Sequence, residues 1–150
     1  MTRRLGAGLA LVLLLAACAN GVPAPATIIA GVTCSHCRMA VSDPKLAAQL
    51  VAPGEEPRFF DDIGCLVAYL KEHAVEKGAR AYVADHASGS WIVANDAIYS
   101  RADGIATPMG SHLIAHADEG ARARDRSAAN AARLTAREVF GASGAPGGAP

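Results

Sequence analysis

Methionine and aromatic residues are scarce in this chain of 150 residues. After Met1 only Met39 and Met109 remain, aromatic residues make up 5% of the composition, and the formal net charge is +0 at pH 7. The sequence has no basic patch with interleaved aromatic residues, so nucleic acid is not an expected partner. The apolar fraction of 51% still allows one domain with a buried core.

No uncharged apolar run is long enough to cross a membrane. Residues 5–17 follow Arg3 and Arg4 and have the length and charge pattern of a signal peptide, predicted over residues 1–17. The run ends in Leu-Ala-Ala before Cys18, which resembles a bacterial lipobox. We therefore expect Cys18 to be lipidated and residues 18–33 to form the lipidated Cys and a tether. The protein would sit on the periplasmic face of the envelope, at the outer membrane, in an oxidising compartment.

Soft metal donors are concentrated in residues 34–39, with the sequence Cys-Ser-His-Cys-Arg-Met. Thiolate and thioether sulfur favour Cu(I), and methionine is not an ordinary zinc ligand. If the segment is extended, Cys37 and Met39 point to the same side and can hold one ion. Met109 lies in a second turn-like stretch, residues 107–112. The sequence predicts a Cu(I) site of Cys37, Met39 and Met109, with His112 and His36 as further candidate donors.

Two other functions remain open at this point. Cys34 and Cys37 form a Cys-x-x-Cys pair that could serve a thiol-disulfide oxidoreductase. Asp43-Pro44 breaks the long helix that would follow such a pair in a thioredoxin-like fold. A structural zinc site of Cys34, Cys37, Cys65 and one His is the other possibility, although a second Cys-x-x-Cys or His pair is missing. Otherwise Cys65 is expected to be a small buried apolar residue.

The apolar pattern predicts strand, strand, helix and strand, twice over. Short strands are expected near residues 58–60, 79–84, 90–93 and 113–115. Residues 27–32 fit a first strand or part of the lead-in, and residues 46–51 fit a strand or a helical turn. The spacing of apolar residues predicts a helix from Ile63 to His73, capped by Asp61 and Asp62 and ended by Gly78. A second helix is predicted from Asp118 to about Ala132, followed by an extended segment over 134–140. This pattern predicts an α+β domain, residues 34–140, of two pseudo-repeated ββαβ units, with a disordered tail over 141–150.

Several stretches, in order, resemble the NosL family of copper-binding accessory lipoproteins. They are the lipobox ending in Cys18, the Cys-x-Met motif at 37–39, Phe-Phe-Asp-Asp-Ile-Gly-Cys-Leu-Val at 59–67, Tyr-Val-Ala-Asp at 82–85, Trp-Ile-Val-Ala at 91–94, and Thr-Pro-Met-Gly at 107–110. The resemblance implies two ββαβ units and one bound Cu(I). It implies a metallochaperone, not an enzyme, that delivers copper for maturation of nitrous oxide reductase or another copper enzyme. Its implied partners are that enzyme and its maturation machinery.

Overall fold

The computed structural model describes residues 21–147, and the predicted signal peptide and Cys18 lie outside the described residues. Seven strands and three helices alternate along the described chain. In order they are β1 Ala48–Val51, β2 Arg58–Phe60, α1 Ile63–Glu72, β3 Arg80–Ala84, β4 Trp91–Val93, β5 Ile98–Arg101, β6 Leu113–His116, α2 Glu119–Arg124, β7 Ala132–Leu134 and α3 Ala136–Phe140. The predicted α+β class is therefore correct.

The strands form two antiparallel sheets. The first has the order β2-β1-β3-β4 and the second the order β6-β5-β7. In each half, the first strand lies between the second and the third, and a helix connects those two neighbours; in the first sheet β4 adds an edge strand beyond β3. A parallel bridge between Asp85 and Ala115 links the end of β3 to β6. Residues distant in sequence thus meet where the two sheets join.

The core lies along β1 and β3 and beneath α1. All four residues of β1 are buried, and Ala48 faces Phe60 on one side and Val83 on the other. A strand in which every residue is buried, the polar Gln49 included, shows no apolar–polar alternation, and residues 46–51 therefore gave no clear strand signal. Tyr99 carries the core into the second sheet, where its hydroxyl donates to the carbonyl of Ala94 at 2.6 Å.

Helix α1 has the bounds that the sequence predicts to within one residue, but Gly78 does not end it. Asp62 is the N-cap and accepts a hydrogen bond from the Gly64 amide at 2.6 Å, while Ile63, Cys65 and Leu66 are buried. The helix closes at His73, whose backbone is extended, so Gly78 belongs to the turn before β3 and does not end the helix. The capping assigned to the Asp61–Asp62 pair is carried out by Asp62.

The C-terminal third differs most from the prediction. Helix α2 stops at Arg124 because Asp125 leaves the helical conformation and its side chain caps a 3₁₀ turn, Arg126–Ala128, through the Ser127 amide. Residues 136–140, predicted as extended, form α3. Thr135 and Glu138 make reciprocal capping bonds at its start. Residues 27–32 form the lead-in and no strand, and only a bridge between Thr33 and Ala40 forms beside them.

The predicted N-terminal tether and the predicted C-terminal tail both contact the folded domain, as far as residues 21–147 show. In the predicted tether, Ala26 exchanges two hydrogen bonds with the Gln49 side chain, at 2.8 and 3.0 Å. In the predicted disordered tail, Ala145 is buried and donates to Asn95 at 2.9 Å. Apolar burial, together with these bonds, orders a stretch that composition alone assigns to disorder. Within residues 21–147, no helix combines the length and apolarity needed to cross a bilayer.

Candidate metal centre

Residues 34–39 form a closed loop, not the extended segment that the sequence analysis assumed. The Cys34 amide donates to the carbonyl of Met39 at 2.7 Å, and the Arg38 amide donates to the carbonyl of Cys34 at 3.1 Å. The Ser35 amide binds the carbonyl of Phe59, which ties the loop to β2. The alternation argument for Cys37 and Met39 therefore fails, since it holds only for a strand.

The loop closes over a cluster of three thiols and one carboxylate: Cys34, Cys37, Asp61 and Cys65. One ligand atom from each lies within 4.8 Å of all the others. Cys34, Asp61 and Cys65 are buried, whereas Cys37 is partly exposed. All three cysteines are free, so the Cys34–Cys37 pair is not a disulfide in this structure. Cys65, expected to be a small apolar residue, also belongs to this cluster.

The thiol cluster contains one buried carboxylate and no cation among the described residues beside it. The hydrogen bonds that Asp61 accepts within residues 21–147 come from thiols, including the Cys37 thiol at 3.4 and 3.5 Å, and thiols are weak donors. No described Lys, Arg or His forms an ion pair with it. Buried charges in proteins are normally paired or bound to a metal. The cluster is thus suited to a cation.

The pKa values of Cys37 and Cys65 are both raised, which favours the protonated thiol of each. Burial raises the pKa of Cys37 above its ordinary value of 9.0, hydrogen bonds with Cys34 and Asp61 add to the rise, and a hydrogen bond from the Met39 backbone partly offsets it. Burial also raises the pKa of Cys65, and Asp61 adds to that effect. A metal ion that binds here must displace these protons, which makes its affinity depend on pH.

Asp62 joins the second sulfur-bearing loop to the same helix end. Its second carboxylate oxygen accepts hydrogen bonds from the amides of Met109 and Ser111, at 3.0 and 3.4 Å. Burial acts to raise the pKa of Asp62, but hydrogen bonds from Ser111, Thr107, Gly64 and Met109 outweigh it, and the net pKa is lowered. The carboxylate therefore stays ionised and holds residues 107–111 against the start of α1.

Gly64 shows how closely this loop approaches α1. A Cβ atom added to Gly64 would lie 2.7 Å from the Cβ of Ser111, closer than two such atoms can approach. Asp61 contacts Cys37, and the next residue in the chain, Asp62, contacts Met109. The structure thus brings the Cys37 and Met109 loops to neighbouring residues at one helix terminus.

Both loops contain a residue in the left-handed backbone region. Arg38, with φ of 68°, and His112, with φ of 56°, are the two non-glycine residues of the described chain with positive φ. That conformation costs a non-glycine residue roughly 1–2 kcal/mol, and such residues cluster at functional sites. One strained residue in each sulfur-bearing loop is consistent with a shared functional site.

A family model described as NosL matches residues 25–136, which is most of the chain. The chain belongs to the NosL family. No curated protein and no solved structure matches it. Membership of the NosL family associates the protein with copper, and the Cys34, Cys37, Asp61 and Cys65 cluster can hold a metal ion.

The two methionines of the predicted NosL copper site are exposed to solvent. Met39 has 45% of its surface exposed and Met109 has 50%. Both are among the large apolar side chains that the described fold leaves exposed. Neither side chain therefore serves as core packing. Their role as ligands stays a prediction.

The two candidate histidines differ in their surroundings. His112 lies in the Met109 loop, and its Nδ1 donates to the carbonyl of Ile105 at 2.7 Å, which leaves the lone pair on Nε2. A metal-binding histidine commonly donates its other nitrogen in this way. His36 has its Nδ1 3.6 Å from Glu72, at the C-terminal end of α1, whereas Cys37 contacts Asp61 before the N-terminal end. Neither histidine belongs to the thiol cluster.

Sequence reasoning identified the three cysteines but missed Asp61. It treated Asp61 and Asp62 as one capping pair, although a helix needs only one N-cap residue. The second aspartate was therefore the available signal for another role. The zinc alternative grouped Cys34, Cys37 and Cys65 with a histidine, and the structure places Asp61 in that fourth position.

Proposed function

We propose that this NosL-family protein is a Cu(I) carrier, a metallochaperone and not an enzyme. Copper is its cargo, held by the thiolate of Cys37 and the thioethers of Met39 and Met109. One thiolate balances the charge of Cu(I), and two neutral sulfurs complete a low coordination number. His112, through its free Nε2, is a fourth donor in the same loop, and His36 is the remaining candidate.

One observation carries this proposal: Asp61 and Asp62 hold the two sulfur-bearing loops at one helix terminus. Asp61 accepts from the Cys37 thiol, and Asp62 accepts from the Met109 amide. These contacts join residues that are far apart in sequence and whose shared chemistry is soft-metal binding. Fixed loops reduce the entropy lost when donors are gathered around an ion.

Exposure of the two thioethers suits a carrier better than a storage site. An ion that must be passed on has to be reachable by the acceptor's ligands. Met39 and Met109 are each about half exposed, while Cys34 and Cys65 are buried. The outer sulfurs would therefore exchange copper with a partner, and Cys37, at intermediate exposure, would retain it between encounters.

A structural zinc site is the second candidate, and the thiol cluster favours it. Cys34, Cys37, Cys65 and Asp61 supply thiolates and a carboxylate, which are ordinary zinc ligands, in a mostly buried position. Zinc does not use thioethers, so this site would leave Met39 and Met109 unused. The oxidoreductase alternative gains no such support, because burial raises the pKa of Cys37 and an attacking thiol needs a lowered one.

Metal titration of reduced, untagged protein containing residues 19–150 separates copper from zinc. We expect one Cu(I) per chain in competition with a chromophoric Cu(I) chelator. Met39→Leu and Met109→Leu should each weaken Cu(I) binding at least tenfold, about 1.4 kcal/mol. Leucine preserves the size of the side chain and removes only the sulfur donor.

Zinc affinity is the matched control for the same variants. Under the copper proposal, the two Met→Leu changes should leave zinc binding at the thiol cluster unchanged. Asp61→Asn should weaken zinc binding there, because Asp61 is one of the four candidate ligands. One tight Cu(I) that survives both Met→Leu changes would rule out the proposed ligand set. A protein purified with one zinc that is lost in Asp61→Asn, and with copper affinity that depends on Cys65 and Asp61 alone, would favour the structural-zinc candidate.

The cellular setting is a further part of the proposal. A lipid on Cys18 would hold the protein at the periplasmic face of the bacterial envelope, at the outer membrane. The acceptor would be nitrous oxide reductase or another copper enzyme with its maturation machinery. Globomycin-sensitive processing and palmitate labelling that disappears in Cys18→Ala test the anchor. Copper transfer to the purified apo-reductase tests the acceptor.

We also propose that the two halves of the fold are pseudo-repeats. Strands β1, β2 and β3 with α1 have the same order and pairing as β5, β6 and β7 with α2. Asp62 and Asp118 are the N-caps at the matching helix starts. Superposition of the two halves within the spread seen among accepted ββαβ repeats is the test, and unrelated strand directions would contradict it.

A further inference from the structure

A second group of metal-binding side chains lies in the other half of the fold, apart from the thiols. It consists of His86, which follows β3, His116, the last residue of β6, and Asp125, which ends α2. One ligand atom from each lies within 4.8 Å of the other two. The group shares no residue with the cluster of Cys34, Cys37, Asp61 and Cys65.

One carboxylate oxygen stands between the two imidazoles. Asp125 Oδ2 is 2.6 Å from His86 Nδ1 and 3.1 Å from His116 Nε2. Its other oxygen accepts from the Ser127 amide, so only Oδ2 is directed to the histidines. Burial acts to raise the pKa of Asp125, but hydrogen bonds from His86, His116 and Ser127 outweigh it and hold the pKa at about 2.

His116 is 0% exposed, and its Nδ1 has no hydrogen-bond partner within the described chain. A buried histidine that served only the core would be expected to use both nitrogens. Because Nδ1 has no hydrogen-bond partner, the ring proton can move there, and the cost is the bond that Nε2 donates to Asp125 Oδ2, which a bond from Nε2 to the metal would replace. That move leaves the Nε2 lone pair facing Asp125, as a metal ligand requires.

The backbone around the group is fixed independently of the histidines. Asp85 accepts from the amides of Ala87, Ser88 and Ala117, which joins the segment after β3 to the end of β6. The His86 amide donates to the carbonyl of Ala115 at 2.9 Å. The two histidines are thus brought together by bonds that do not involve their rings, and no folding change is needed before an ion binds.

Solvent reaches the group through His86. Its side chain is 23% exposed and lines a surface cleft of about 490 Å³, together with Gly104, Ile105, Asn130 and the exposed Arg126. A tetrahedral zinc ion keeps its N and O ligands roughly 3.3 Å apart. The present separations of 2.6 and 3.1 Å would need to widen by roughly 0.7 and 0.2 Å, which a small rotation of the partly exposed His86 ring can supply.

We propose that His86, His116 and Asp125 form a second metal site that takes a divalent first-row ion of the zinc class. Two imidazole nitrogens and one carboxylate oxygen are borderline-hard donors, which suit Zn(II) and not the Cu(I) of the sulfur site. Three protein ligands leave a position for water or an exchangeable group, as in zinc sites that are not purely structural. The site is independent of the proposed copper function.

Zinc titration by calorimetry, on untagged protein of residues 19–150, tests the site. His86→Gln and Asp125→Asn should each lose one zinc equivalent relative to the wild type. His73→Gln is the matched control, since that exposed ring binds the carbonyl of Tyr69, stacks on the Tyr69 ring and belongs to neither metal-binding group of the described chain. Asparagine at 125 can still accept from the Ser127 amide, so the fold is retained, and circular dichroism verifies it.

Cobalt(II) separates the two sites. The cobalt ion that the wild type binds and His86→Gln does not should show d–d absorption without a thiolate charge-transfer band. Cys37→Ser should still bind that cobalt ion. Equal zinc stoichiometry in the wild type and His86→Gln overturns the proposal, as does a sulfur band in the lost equivalent. A failure of copper binding at Cys37 leaves this outcome unaffected, so the two proposals fail separately.

Discussion

Asp62→Asn tests how the Met109 loop is held against α1. The carboxylate accepts from Gly64 through one oxygen and from Met109 and Ser111 through the other. An asparagine has one acceptor oxygen, so in either orientation at least one backbone amide faces an NH₂ group. Each unsatisfied buried donor costs about 1–3 kcal/mol, and we expect a total loss of about 2–4 kcal/mol in the free energy of unfolding.

Asp118→Asn is the matched control for this change. Asp118 caps α2 by accepting from the Ala121 amide at 2.7 Å, but it is exposed, and within residues 21–147 its side chain binds no other loop. Asparagine caps a helix about as well as aspartate, so the control should lose no more than about 0.5 kcal/mol. Urea unfolding of both variants measures the difference, and amide hydrogen exchange should rise at Met109 and Ser111 in Asp62→Asn alone.

The same change has a pH signature. The folded pKa of Asp62 lies below its ordinary 3.8, so its contribution to stability is complete above that value and is lost as the pH falls through the folded pKa. Asp62→Asn should therefore remove part of the acid sensitivity of the wild type below about pH 4. Equal losses in Asp62→Asn and Asp118→Asn, with unchanged exchange at Met109, would refute the role of Asp62 as the link between loops.

Three further changes test the loop at 34–39, the C-terminal tail and α3. Arg38→Gly should be more stable than Arg38→Ala by about 1 kcal/mol in urea unfolding, because only glycine relieves the positive φ; equal stabilities would argue against that conformation. Ending the chain after residue 140 should lower stability by about 1–3 kcal/mol through loss of the Asn95 contacts, whereas ending it after 147 should be neutral in calorimetry. Thr135→Ala should cost about 1 kcal/mol by removing the cap of α3, and no loss would show that the cap is unimportant.

The N-terminal half of the fold followed from local patterns. Asp62 ahead of Ile63, with apolar residues at helical spacing, predicted α1, and β2 was predicted at its observed bounds. These elements rely on a cap and on one apolar face, both of which can be read from neighbouring residues. Residues 27–32 show the limit of this reasoning, since a β-branched run forms a strand only where a partner strand is available.

The C-terminal half depended on contacts that the local pattern does not contain. Helix α2 ends at Arg124 because Asp125 binds two histidines and the Ser127 amide outside the helix. The start of α3 did have a signal, Thr135 followed by Glu138, which is the capping-box pattern and favours a helix over the extended segment predicted there.

The sequence by itself determined the donor chemistry and the family. The soft sulfur atoms of Cys37, Met39 and Met109, and the ordered motifs between them, are properties of residue type and spacing. Tertiary structure alone decided that the Cys37 loop and the Met109 loop lie at one helix terminus. Asp61 and Asp62 are adjacent in sequence, yet Asp61 contacts a loop that precedes it in the chain and Asp62 contacts a loop that follows it. Such contacts depend on distance in space and not on separation in sequence. For the same reason, only the folded chain brings His86, His116 and Asp125 together, since each comes from a different element and no spacing relates them.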